Sequence, residues 1–208
     1  MDFLLCYYVD MKLRYPLILA SASPRRKKLL QDLGFSSFEV LPTPSDEQGA
    51  ESQSYPIAPL AICADKWQCA RSLLKSQDPS LILTADTMVF LGQKPLGKPK
   101  DETEARSFLQ ALSGREHEVI TAYALGPSHL PHPLVSRWAK TKVWFRPLQE
   151  QEIEEYIRSG SPFDKAGGYG YQDDQGKQFV SRLEGLESTV IGLPIELLRE
   201  DLELFTSI

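Results

Sequence analysis

Cysteine is scarce in this sequence: Cys6, Cys63 and Cys69 form an odd set with no C-x-x-C spacing. Nothing in that set points to a secreted disulfide framework or a zinc site, and a reducing, cytoplasmic setting fits it best. Histidine is as sparse. His129 and His132 sit in a proline-containing connection with no third ligand nearby, and His117 begins an expected strand, so the imidazoles point to no metal centre. Long hydrophobic runs are missing too. The apolar stretch Phe3 to Val9 is seven residues long, follows Asp2 in place of a basic region and lacks a small-residue cleavage site, so it reads as neither signal peptide nor membrane span. Positive charge is not in excess. A net charge of -5 disfavours a protein that coats nucleic acid, which must displace counterions from many phosphates. It does not disfavour a single anionic substrate, because a few bases converging in one cleft dominate the local field. Walker loops, nucleophile elbows, G-x-G-x-x-G turns, internal repeats and low-complexity tracts are also missing.

What is present is an ordinary globular composition, 208 residues with 42% hydrophobic and 25% charged, enough for one large domain or two small lobes. The globular pattern begins near Leu13. Residues 1–12 read as an N-terminal extension or a start placed upstream of Met11, and residues 13–208 as a single two-lobed domain.

Leu17 to Ala20 reads as a short buried strand, followed by a helix from Pro24 to about Leu33, capped by Ser23 and stopped at Gly34. Phe38 to Leu41 is a second strand, Pro42 to Gln53 a loop, and Ile57 to Leu74 a long helix with its prolines in the loop or first turn. Leu81 to Ala85 is a strand that Met88 to Leu91 continues or resumes, with Asp86-Thr87 between them and Gly92-Gln93 as the turn that follows. Asp101 and Glu104 mark a capped helix ending at Ser113-Gly114. Two alternating strands, Glu116 to Leu125 and Val135 to Phe145, precede a helix from Gln149 to about Ser159. A glycine-rich loop, Lys165 to Gly170, leads to a short hairpin around Phe179 to Leu183 and a last helix from Pro194. Trp138 and Trp144 share one face of their strand, a pattern that favours core packing over base stacking. The mixture of strands and helices without a strict βαβ repeat implies an α/β fold with a mixed twisted sheet flanked by helices.

Three features carry chemistry. A buried strand running into Ser23-Pro24-Arg25-Arg26 offers helix N-terminal amides and two guanidinium groups to an anion, or else is a capped helix with surface arginines. Lys66, Lys98 and Lys165 lie in motif-like stretches, although a lone lysine is more often solvated surface. Asp86 interrupts an apolar run, where a carboxylate is costly to bury unless it is paired or binds metal. It is the candidate base or cation ligand, the competing reading being a turn Asp held by neighbouring amides. Asp46-Glu47 could add an oxygen ligand for magnesium or manganese.

In their order along the chain these stretches resemble the Maf family of nucleotide pyrophosphatases. The blocks are Leu19 to Arg26, Ala85-Asp86-Thr87, Gly97-Lys98-Pro99, Leu112-Ser113-Gly114, Asp164 to Gln172 and Val190 to Pro194. The resemblance implies a two-lobed protein with a central cleft, a divalent cation (Mg or Mn), and attack of water on the α-phosphate of a nucleoside triphosphate with release of pyrophosphate. It implies Asp86 as proton acceptor and, with Glu47, metal ligand. Arg26, Lys66 and Lys98 are implied as triphosphate-contacting bases, with Ser21 and Lys165 in the same substrate-binding set. Arg25, Thr87 and Gln172 fall where the family sorts substrates, and this combination is similar to the branch that prefers dTTP and UTP. Gln172 can offer donor and acceptor to a pyrimidine edge. A modified nucleotide is a second candidate substrate, and related proteins suggest a homodimer. The chain departs from the family at Tyr171, at Ile62-Cys63 and Trp67 in the long helix, and in an insert from Gly126 to Pro133. A non-catalytic nucleic-acid-binding or cell-division regulator is the alternative; an acidic group among the bases disfavours it, because that group repels phosphate unless a cation intervenes.

Overall fold

A computed structural model describes residues 11–43, 55–75 and 78–206. The stretch 1–10, read as part of an extension, and the acidic pair Asp46-Glu47 lie outside the described residues.

Seven strands form one mixed sheet: β1 (Leu17–Leu19), β2 (Glu39–Val40), β3 (Leu81–Leu91), β4 (Lys94–Leu96), β5 (Glu116–Pro127), β6 (Val135–Phe145) and β7 (Val180–Glu184). Their order is β2-β1-β3-β5-β6-β7, with β4 folded back on β3. β1 is parallel to both neighbours, and the pairs β3–β5, β5–β6 and β6–β7 are antiparallel. The helices are α1 (Pro24–Asp32), α2 (Ala58–Leu73), α3 (Glu102–Leu112), α4 (Glu150–Arg158), α5 (Asp174–Phe179), α6 (Glu187–Ile191) and α7 (Ile195–Leu202). The α/β mixed sheet expected from the sequence is therefore the fold.

The period-2 alternation along β3 and β5 sends their side chains to opposite faces of the sheet. On one face, Leu81, Leu83, Ala85, Tyr123 and Leu125 join residues from β1, α1 and α7. Farther along the same face, Val89 and Val119 join α3, α4, Tyr169 and Phe179 in a second cluster. The opposite face carries Ile82, Ala122 and Ala124 under Cys63, Trp67 and Ala70 of α2. Each fully buried leucine here contributes about 1.5–3 kcal/mol through area removed from water. Between the two clusters on the first face, the paired residues Thr87 and Thr121 replace apolar side chains.

Local signals behave as their chemistry demands. The Ser23 hydroxyl accepts from Arg26 N at the start of α1, Pro24 occupies the first turn, and Gly34 follows the helix with φ 103°. Asp101 Oδ1 accepts from Glu104 N at 2.8 Å, while Glu104 reaches back to Lys100 N at 2.7 Å, one residue before the cap. β3 does not break at Asp86-Thr87: pairing with β5 is continuous from Leu81 to Phe90.

Two expectations are corrected. Phe179 to Leu183 is no hairpin: α5 ends at Phe179, and β7 then pairs antiparallel with β6. The Phe179 ring is anchored in the second core, 5.1 Å from Tyr156 and 5.8 Å from Phe145 between centroids, so tertiary packing holds the segment. Trp138 and Trp144 do share a face, but it is the outward one; Trp138 is exposed and Trp144 lies under the Arg182 guanidinium at 4.6 Å. Val143 and Phe145, at the other parity of β6, supply the core.

Candidate active site

The site follows from a gap in the sheet. β1 pairs with β3 only as far as Leu83, whose carbonyl accepts from Ala20 N at 2.8 Å; β4 takes up that edge again at Val89. Over the residues between, β3 borders a cleft of about 310 Å³. A sheet edge left open where the chain diverges is a place for a ligand.

Of the positions singled out in the sequence, Ser21, Arg25, Arg26, Lys66 and Asp86 line the cleft, as do Thr87, Lys98, Lys165 and Gln172. Glu47 falls outside the described residues. The described lining holds five bases against the two carboxylates Asp86 and Asp164, so the cleft is locally basic within a chain of net charge -5.

Because neighbours in a strand point to opposite faces, Asp86 and Thr87 serve different partners. On the α2 side, Lys66 Nζ lies 2.7 Å from Asp86 Oδ1, the two side chains being 11% and 12% exposed. α2 is held there by Thr84 Oγ1, which donates to Cys63 O at 2.8 Å, and by the buried Trp67. Pairing offsets the cost of burying each charge, and keeps a carboxylate at the floor of a basic cleft.

On the other side, three of the described segments hold Arg26. Its Nη1 donates to Ser21 Oγ at 3.0 Å, its Nη2 to Thr87 Oγ1 at 3.1 Å, and its Nε to Gly192 O at 2.9 Å. A planar guanidinium held this way is a pre-oriented anion ligand.

Arg25 takes a different partner, bridging to the 3-10 turn Ser161–Asp164 through Nη1 and Asp164 Oδ2 at 2.9 Å. Burial works against the Asp164 charge, but Lys165 and Arg25 outweigh it and hold the carboxyl below the usual carboxylate range. Lys165 Nζ donates to Ser161 O and Asp164 Oδ1, both at 2.7 Å, with Ser161 Oγ at 3.2 Å and Asp173 Oδ2 at 3.4 Å. Its three donors are thus matched by the protein, and it pins the turn that grips Arg25.

Gln172 rides on the loop after the turn Ala166–Gly168. Gly170 N donates to Tyr156 Oη at 3.0 Å, and that hydroxyl donates to Asp173 Oδ2 at 2.8 Å, so α4 anchors the loop on both sides of Gln172. Burial, together with the Asp173 hydrogen bond, pushes the Tyr156 phenol well above its ordinary value.

Sequence reasoning overlooked Tyr156, Asp173 and Thr121. Thr121 carried a weak signal, a hydroxyl at a core-facing position of a strand; Tyr156 and Asp173 carried none, since the bond that joins them links residues 17 apart in sequence.

Among the described residues no group of three or more His, Cys, Asp or Glu side chains could hold a metal ion. The donor set nevertheless fits a hard cation shared with a substrate. One carboxylate at the floor, with phosphates and water completing the shell, is how magnesium is usually held.

Fold and cleft define a class: a mixed-sheet α/β protein whose basic cleft, open beside a central strand, surrounds a buried Lys–Asp pair. The chain belongs to the Maf-like protein family, whose model matches residues 16–205. It is similar to the dTTP/UTP pyrophosphatase of Bdellovibrio bacteriovorus, 45% identical over 91% of this chain and 98% of the relative. The dTTP/UTP pyrophosphatase of Vibrio parahaemolyticus is 41% identical over 89% of this chain and 94% of its own length. That of Thermus thermophilus is 44% identical over 86% and 89%.

Proposed function

We propose that the protein is a nucleoside triphosphate pyrophosphatase that hydrolyses dTTP and UTP to the monophosphate and pyrophosphate. The observation that carries this reading is the Lys66–Asp86 pair, a buried carboxylate at the floor of a cleft whose other charges are mainly basic. The names and coverage of the relatives support the substrate class.

In this reading Arg26, Lys66 and Lys98 receive the triphosphate, with Ser21 and the helix α1 amides beside them. Asp86 takes a proton from water as the water oxygen bonds to the α-phosphorus. The bond from that phosphorus to the oxygen bridging the β-phosphorus breaks, and pyrophosphate leaves with the electron pair. Asp86, with Glu47, would hold magnesium or manganese, which supplies charge neutralisation and a more acidic water. Gln172 reads the base edge, and Arg25, held by Asp164, limits the room for a purine. Lys165 contributes by holding Asp164.

The cytoplasm fits the free thiols of Cys63 and Cys69, and no helix among the described residues is long and apolar enough to cross a membrane. Homodimeric assembly belongs to the same reading, and sedimentation equilibrium tests it.

The deciding experiment measures pyrophosphate release with magnesium or manganese across dTTP, UTP, CTP, dITP, GTP and 7-methyl-GTP. Release from dTTP and UTP that is lost in Asp86→Asn is expected. No release from any nucleotide would sink the reading and leave a binding protein.

A further inference from the structure

Thr87 on β3 and Thr121 on β5 are direct cross-strand partners, placed where the two cores of one sheet face meet. Thr121 is fully buried, so its hydroxyl has no solvent to turn to. Thr121 Oγ1 lies 2.7 Å from the Thr189 carbonyl of α6 and 2.9 Å from Thr87 Oγ1. A carbonyl only accepts, and a hydroxyl has one hydrogen, so the hydrogen of Thr121 goes to Thr189. Thr87 must then donate to Thr121. That turns the lone pairs of Thr87 toward Arg26 Nη2, 3.1 Å away, which only donates. The chain therefore runs in one direction, from Arg26 through Thr87 and Thr121 to the Thr189 carbonyl, and every hydrogen in it is assigned by the chemistry of its ends.

We propose that Thr121 is a positioning residue for the triphosphate site, setting the Thr87 hydroxyl as an acceptor and through it the plane of the Arg26 guanidinium. The inference rests on reading Arg26 as a triphosphate-contacting base. Ser21 and Gly192 hold two other corners of that guanidinium, and Thr87 supplies the third. A valine at 121 keeps the shape but removes the oxygen that, among the described residues, fixes the Thr87 hydrogen. The Thr87 side chain then gains by turning to another acceptor, and Arg26 loses its contact on the β3 side.

The test is calorimetric titration of inorganic tripolyphosphate, with magnesium, into the wild type, T121V, T121S, R26K and the R26K/T121V double variant. Tripolyphosphate has no base and needs no turnover, so the readout is independent of hydrolysis. T121V is expected to bind about tenfold more weakly, the scale of one hydrogen bond to a charged group. T121S restores the hydroxyl and should stay within about twofold of wild type on the same scale. In the R26K background T121V should cost little more, because a lysine cannot take the three-cornered arrangement. Wild-type affinity in T121V, or an equal loss in both backgrounds, overturns the role of Thr121 while leaving the triphosphate reading intact. A wild type that does not bind tripolyphosphate refutes that reading and this inference with it. If T121V does not fold, T121A takes its place in the same cycle.

Discussion

Lys66 on α2 and Asp86 on β3 meet at 2.7 Å with both side chains almost withdrawn from solvent. Twenty residues apart in sequence, they are joined because α2 packs on the sheet face to which Asp86 points. An ion pair so placed is poor evidence of stability, since apolar residues of similar volume often pack as well or better. Its position at the floor of a basic cleft is what supports the role proposed for it.

Replacing Asp86 by asparagine keeps the shape and an acceptor for Lys66 while removing the base. Pyrophosphate release from dTTP should fall by at least about a hundredfold, the usual contribution of a positioned base. Circular dichroism should show the fold retained. Activity within a few-fold of wild type would reject Asp86 as the proton acceptor.

Lys66→Met leaves the Asp86 carboxylate buried without its partner. A loss of about 3–5 kcal/mol in unfolding free energy is expected from urea titration at neutral pH. The double variant K66M/D86N should recover part of it, because no uncompensated charge remains; a double variant no better than K66M would count against the pairing as the cause.

His117 is buried, with Nε2 2.8 Å from Tyr169 Oη in a cluster of rings with Phe145. Burial pushes its imidazole down from 6.5 to about 3. Below pH 6.5 the unfolded chain therefore takes up a proton that the folded chain refuses. Stability falls as pH drops from 6.5 toward 3, by as much as a few kcal/mol at roughly 1.4 kcal/mol per unit of pKa difference. Urea unfolding across that window should show a shallower decline in His117→Gln than in the wild type. Parallel curves would remove His117 from the acid response.

Gln172→Ala should lower kcat/KM for dTTP and UTP about tenfold, as one or two lost hydrogen bonds to a base would. Tripolyphosphate binding should stay unchanged. An equal loss in both would place the effect in the loop anchored by Tyr156 rather than in base recognition.

Gly167 has φ 72°, and a Cβ there would stand 2.9 Å from Val89 Cγ1. Gly167→Ala combines a strained left-handed residue with overpacking against β3, so about 2–4 kcal/mol should be lost in urea unfolding. Trimming the neighbour in G167A/V89A should return less than the whole loss, since the backbone strain remains.

Much of the fold was legible because it rests on local chemistry. Ser23 and Pro24 start α1, Asp101 starts α3, and alternation marks β5 and β6, whatever the rest of the chain does. The segment from Asp174 to Ile191 was not legible: α5 and α6 have six and five residues, too short for a helical period to register, and Phe179 is held by rings of distant elements. Trp138 and Trp144 were misread because parity says which residues share a face, but not which face a helix covers.

The sequence by itself determined the element types outside Asp174 to Ile191 and the mixed α/β class, and it singled out a carboxylate costly to bury at Asp86, because capping, periodicity and that cost act over a few residues. Only the tertiary structure decided that β3 stands unpaired on one edge between Leu83 and Val89, that Asp86 meets Lys66 while Thr87 meets Arg26, and that Arg25 meets Asp164. Those relations depend on register and on which helix covers which face of the sheet. Register and coverage are settled when segments far apart in the chain bury their apolar sides together, and that long-range choice leaves little trace in any short window of sequence.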